Sequence, residues 1–149
     1  MSDRAPRVGG VLETALYVED IGRSIEFYGR VLGLQPASPP IDRLVALSVT
    51  EDVVLLLFLK GGSVMASETP FGTIPPTDGD GELHVAFSIP ADEFDAWCAH
   101  LAAVGVEIES IVDWPDGGLG GRSIYFRDPD RHAIELKTTN WLGGRPRLG

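Results

Sequence analysis

The feature that most constrains this chain is an internal repeat. Residues 11–33 (VLETALYVEDIGRSIEFYGRVLG) and residues 82–105 (ELHVAFSIPADEFDAWCAHLAAVG) share one pattern. Each opens with a short alternating stretch, meets an acidic residue placed to cap a helix (Asp20, Asp92), runs through an apolar helical stripe and stops at a glycine (Gly33, Gly105). Self-similarity at this spacing means one supersecondary unit used twice, each copy too small to bury its own apolar face alone. The stripes read Ile21, Ile25, Tyr28 and Leu32 in the first unit, and Phe94, Trp97, Cys98, Leu101 and Val104 in the second.

Strand-like segments follow each helix. In the first unit they are residues 43–49 and 53–59, with a weaker candidate before residue 43; in the second they are 106–112, 123–127 and 133–138. Asp128-Pro129-Asp130-Arg131 between the last two has the chemistry of a type I turn. Each unit therefore reads β-α-β-β-β, and the expected fold class is α+β. The expected organisation is a first module at 11–60, a linker doubling as a lid at 61–81, a second module at 82–139 and a tail at 140–149 anchored by Trp141. The glycine-rich loop at 113–121 does not lead from a strand into a helix, so it is read as a mobile loop and not a nucleotide cradle.

The chain has 149 residues, enough for a core without staples, and 22 acidic against 12 basic residues for a formal charge of −10. Such a surface repels phosphate backbones and anionic lipid, so neither nucleic acid nor membrane is an expected partner. No apolar run is long enough to span a bilayer, and the polar start does not read as a signal peptide. The single Cys98 excludes an intrachain disulfide and reads as a packed thiol, and a reducing, cytoplasmic location is expected.

The polar residues on the strands carry the chemistry. Residues two apart share a face. Glu13, Ala15 and Tyr17 oppose Leu12, Thr14, Leu16 and Val18; His84, Ala86 and Ser88 oppose Leu83, Val85, Phe87 and Ile89. Glu13 and His84 hold equivalent places, 20 and 21 residues ahead of the helix-ending glycines. Glu135 projects from the last strand, opposite Ile134 and Leu136, and its counterpart in the first unit is Leu56. Alone, each of the three reads as an ordinary surface or core residue. Two carboxylates and one neutral imidazole, converging from matching places of a repeat, suit a divalent metal and leave positions for water and substrate. Tyr17, Tyr125 and Arg122 are candidates to line the same cavity, with Arg122 suited to grip an anion. His132, at a hairpin turn, and His100, on a helix, read as surface residues; Trp97 and Trp114 read as core and loop anchors.

These motifs resemble the vicinal oxygen chelate superfamily of glyoxalase I, bleomycin resistance proteins, fosfomycin resistance enzymes and extradiol dioxygenases. The resemblance rests on LETALYVEDIGRSIEFYGRVLGL at 12–34, GELHVAFSI at 81–89 and GGRSIYFRDPDRHAIEL at 120–136. It implies paired βαβββ modules curved into a cup around a metal ion (Zn, Ni, Mn, Co, Mg or Fe), held by Glu13, His84 and Glu135. It also implies a homodimer with cups often built across chains, and a small-molecule substrate. The activity implied is of lyase or isomerase type: the metal chelates two substrate oxygens and stabilises an enolate or oxyanion, with Glu13 or Glu135 moving a proton. Two alternatives stay open, an extradiol-type ring-cleaving dioxygenase and a bleomycin-resistance-like drug-binding protein without catalysis. The chain departs from the superfamily's patterns at Leu56, where glyoxalase I-like members have a fourth ligand. It departs also at Glu13 and residues 116–118, where extradiol dioxygenases have histidines, and at Arg131, where glycine or proline is usual.

Overall fold

A computed structural model describes residues 4–115 and 120–138. The first unit comprises β1 (Glu13–Val18), α1 (Ile21–Leu32), β2 (Gln35–Pro36), β3 (Leu44–Ser48) and β4 (Val54–Leu59). The second comprises β7 (His84–Ser88), a 3-10 turn (Ala91–Glu93), α2 (Phe94–Ala103), β8 (Ser110–Asp113), β9 (Arg122–Arg127) and β10 (Ala133–Lys137). Between them, the stretch read as a linker carries a small antiparallel hairpin, β5 (Ser67–Thr69) and β6 (Gly72–Ile74). Trp141 and the tail, and residues 116–119 of the glycine-rich loop, lie outside the described residues.

The repeat is visible in the strand order. The first sheet runs β1-β4-β3-β2 and the second β7-β10-β9-β8, so each module pairs its opening strand in parallel with its closing strand. The fold is α+β, two cup-shaped βαβββ modules with their helices on the apolar sheet faces. Leu16 and Val18 of β1, Leu55 and Leu57 of β4, Ile124 and Phe126 of β9 and Ile134 and Leu136 of β10 are all buried in one core shared by both modules.

Local chemistry sets the helix ends unequally. Asp20 caps α1, its Oδ1 accepting from the Arg23 backbone N–H at 2.9 Å. Gly33 closes the helix in the left-handed conformation at φ 71°. The expected cap at Asp92 does not form: the turn is entered two residues earlier, at Pro90, so Asp92 lies inside the 3-10 turn and α2 starts with no side-chain cap. The buried face of α1 is also turned from the expected stripe. Ser24, Phe27, Tyr28 and Val31 are buried, whereas Ile21, Ile25 and Leu32 pack at its margin, because α1 serves its own sheet and the second module together. Of the expected 106–112 strand only residues 110–112 pair with β9, and the pairing runs on to Asp113; Val106 and Ile108 pack on the core without joining the ladder.

Polar and aromatic contacts bind the modules. The Tyr28 hydroxyl donates to Asp128 Oδ2 at 2.6 Å, and the Phe27 and Phe126 rings lie 6.4 Å apart. Two histidines expected at the surface complete the joint. His132 is fully buried: its Nδ1 accepts from the Leu83 N–H at 2.9 Å and its Nε2–H donates to the Tyr17 carbonyl at 2.7 Å, which fixes the tautomer. His100 Nε2 donates to the Val31 carbonyl at 2.8 Å. Both belong to the joint because helix and hairpin ends that look peripheral within one module meet the other module.

Candidate functional site

The parallel registers show what the repeat makes equivalent. Glu13 pairs with Val54 across β1 and β4, and His84 pairs with Ala133 across β7 and β10. Two residues further along the closing strand stand Leu56 in the first module and Glu135 in the second. The second module therefore holds two metal-ligand types and the first holds one.

His84 and Glu135 meet. His84 Nε2 lies 3.1 Å from Glu135 Oε2, with the carboxylate buried and the imidazole half exposed. The other carboxylate oxygen, Oε1, accepts from the Ser123 hydroxyl at 2.5 Å, and Ser123 Oγ accepts from the Trp114 indole N–H at 2.7 Å. Ser123 is itself fully buried. This chain of donors fixes the carboxylate and turns Oε2 toward His84. Tyr125 stands opposite Glu135 on β9, its ring 6.3 Å from the His84 ring. Burial, then the neighbouring Glu135 carboxylate, push the Tyr125 phenol above its ordinary value, so it is a proton donor at this wall. Neither Ser123 nor Trp114 was read from sequence as part of the site. The signal for Ser123 was its place two residues before Tyr125, on the same face of one strand.

Glu13 is not part of this pair. It is exposed at the start of β1, the edge strand of the other sheet, and among the described residues no three His, Cys, Asp or Glu side chains of one chain come together. Tyr17 shares its face of β1, where its ring stacks on Phe58 at 5.4 Å and leaves so little room that a Cβ at Gly79 would strike it. Arg122 turns the other way. Its guanidinium covers the Phe94 ring of α2 at 3.9 Å and pairs with Asp113 at 2.7 Å, on the helix side of β9 and away from Tyr125. The anion grip expected of Arg122 does not exist in that orientation.

The donor pair fits half of a divalent-metal site. Nitrogen and oxygen ligands sit about 2.0–2.2 Å from such an ion, so two ligands at right angles are about 3 Å apart. The 3.1 Å between His84 Nε2 and Glu135 Oε2 matches that edge. The support behind the carboxylate is also what a metal ligand needs, since groups that hydrogen-bond to ligands set their orientation.

The sequence is similar to that of known proteins over nearly its whole length. It is 25% identical over 133 residues to the fosfomycin resistance protein FosX of Listeria monocytogenes, covering 87% of this chain and 89% of that one. It is 31% identical over 122 residues to the metallothiol transferase FosB of Staphylococcus epidermidis, covering 81% and 75%. Among solved structures, lactoylglutathione lyase from Agrobacterium tumefaciens superposes with a TM-score of 0.78 at 28% identity, covering 89% of this chain and 96% of that one. With two βαβββ modules, a His84–Glu135 pair on the second and a match of the family profile to residues 10–136, the chain belongs to the Glyoxalase/Bleomycin resistance protein/Dioxygenase superfamily.

Proposed function

We propose that the protein is a divalent-metal-dependent enzyme acting on a small oxygen-bearing substrate, with each site made by His84 and Glu135 of one chain and Glu13 of a second copy. The observation that carries this reading is the buried, doubly anchored Glu135 held 3.1 Å from His84, with a third ligand type at the equivalent place on an exposed edge strand. Val11 and Leu12, just ahead of Glu13, are 74% and 68% exposed, and a second copy would cover them. A divalent ion at this site supplies Lewis-acid polarisation of two substrate oxygens and stabilises the negative charge that develops on them. Enzymatic relatives support the reading: FosB is a metallothiol transferase, and the structural neighbour from Agrobacterium is a lactoylglutathione lyase.

The residues divide the work. Glu135 is the anchor, because Ser123 already occupies one of its oxygens. Glu13, exposed and unburdened by such a bond, is the carboxylate assigned to move a proton. Tyr125 keeps its proton and lines the wall beside His84. Cys98 takes no part: burial raises its thiol above the ordinary value, which keeps it protonated, as suits a reducing cytoplasmic setting.

Complementation between variants tests the arrangement. Glu13→Gln and Glu135→Gln proteins each lose tight Mn(II) binding. Unfolded together and refolded as mixed pairs, they regain about a quarter of the wild-type sites, because a mixed pair restores one intact site. No recovery would place the site within one chain or nowhere. Metal-loaded protein is then screened with hemithioacetals, epoxyphosphonates plus thiols, and catechols. Oxygen uptake with catechols would favour ring cleavage, and tight binding of a bulky drug by chelator-treated protein without turnover would favour sequestration.

A further inference from the structure

Lys137 follows Glu135 by two residues on β10, so it projects from the same face about 7 Å further along the strand. Its ammonium sits 4.2 Å from the centre of the Trp114 ring, the same indole whose N–H holds Ser123. In register, Lys137 stands between Ser123 of β9 and Ser88 of β7, and Ser88 is exposed on the His84 side of its strand. The charge setting is unusual. The chain carries 22 acidic residues, and Arg23, Arg30, Lys60, Arg122, Arg127 and Arg131 each pair with a carboxylate. Among the described residues no carboxylate pairs with Lys137; an aromatic face holds it in its place.

We infer that Lys137, seated on Trp114 and flanked by Ser88 and Ser123, is an anion subsite, and that the substrate carries a carboxylate, phosphonate or phosphate group a few bonds from its chelating oxygens. This rests on the proposed metal site and adds a substrate class to it. An acidic chain with carboxylates lining its site repels anionic substrates unless a cation faces them locally. On that face Arg127 is paired with Glu109 and Glu82, whereas among the described residues no carboxylate neutralises Lys137. A lysine neutralised by a carboxylate would have to break that pair to bind, whereas a cation held by an indole face keeps its charge available. The indole also couples the two ends of the site, since one ring orients both the anion-binding ammonium and, through Ser123, the Glu135 carboxylate.

Two measurements test it. In chelator-treated protein, with no metal, inorganic phosphate is titrated while the Trp114 indole N–H resonance, assigned with Trp114→Phe, is followed by NMR. A saturable shift that disappears in Lys137→Gln and survives in Lys137→Arg is expected; the same shift in Lys137→Gln, or none in the wild type, overturns the subsite. In Mn(II)-loaded protein, acetohydroxamate is compared with the monohydroxamate of succinate, which has the same chelating head and a carboxylate tail. The tailed probe is expected to bind about tenfold tighter to the wild type, a preference that Lys137→Gln removes and Lys137→Arg retains. Equal binding of both probes by the wild type sinks the inference while leaving the metal reading standing. Failure of both probes, with the phosphate shift intact, sinks the metal reading and leaves the subsite.

Discussion

Ser123 is the residue on which the site's geometry turns. Its hydroxyl receives the Trp114 proton and gives its own to Glu135, so it is a positioning residue acting through the carboxylate. Ser123→Ala strands a buried carboxylate oxygen and should destabilise the fold by about 1–3 kcal/mol. It should also weaken Mn(II) binding by about 10–100-fold, with partial rescue by Ser123→Thr. Equilibrium unfolding and metal titration on the same samples check this; unchanged metal affinity would remove Ser123 from the site. Tyr28 gives a prediction in pH. Burial, then the Asp128 carboxylate, raise its phenol far above the ordinary value of 10. A group with a raised folded pKa stabilises the fold fully below its unfolded value and loses that contribution as pH rises toward the folded one. Stability should therefore fall above about pH 10, with Tyr28 ionising only as the chain unfolds. In Tyr28→Phe this alkaline component should be missing, in an alkaline titration followed by tyrosinate absorbance and circular dichroism.

At the scale of elements, the two helices look alike in sequence and differ in how they begin. Asp20 caps α1, whereas Asp92 caps nothing. Asp20→Ala should cost about 1 kcal/mol of unfolding free energy and Asp92→Ala less than about 0.5 kcal/mol. Equal losses would show that the repeat's symmetry extends to capping after all. The β9–β10 turn holds a second local conflict. Arg131 adopts φ 66°, a left-handed conformation that side chains resist and glycine does not. Its exposed pair with Glu82 returns little. Arg131→Gly should raise stability by about 1 kcal/mol in denaturant unfolding, and a loss instead would mean that the ion pair outweighs the backbone.

For the whole molecule, the decisive matter is what covers the edge strand β1. Val11→Asp places a charge on the exposed apolar start of that strand without touching the core. If a second copy seats there, the variant sediments as a monomer with unchanged circular dichroism and loses Mn(II) affinity at least about tenfold, both effects together. Pairing retained together with metal binding would show that β1 faces solvent in the working protein. Among the described residues no helix is long and apolar enough to cross a membrane.

Sequence alone determined the two-module plan, because strand and helix periods and glycine stops are local properties written twice along the chain. It also determined which residues could be ligands, since side-chain alternation on a strand needs only the backbone period. Tertiary structure decided what the periods cannot contain. Glu135 met His84 because β10 lies beside β7 in the register that brings them to 3.1 Å. Arg122 left the site because Phe94 and Asp113 offered it partners on the helix side, and Lys137 took the site's face with Trp114 beneath it. His132 and His100 became structural because each meets a backbone group of the other module. Burial and partner choice are non-local: they depend on which surfaces the packed modules bring together, and no window of sequence holds both surfaces at once.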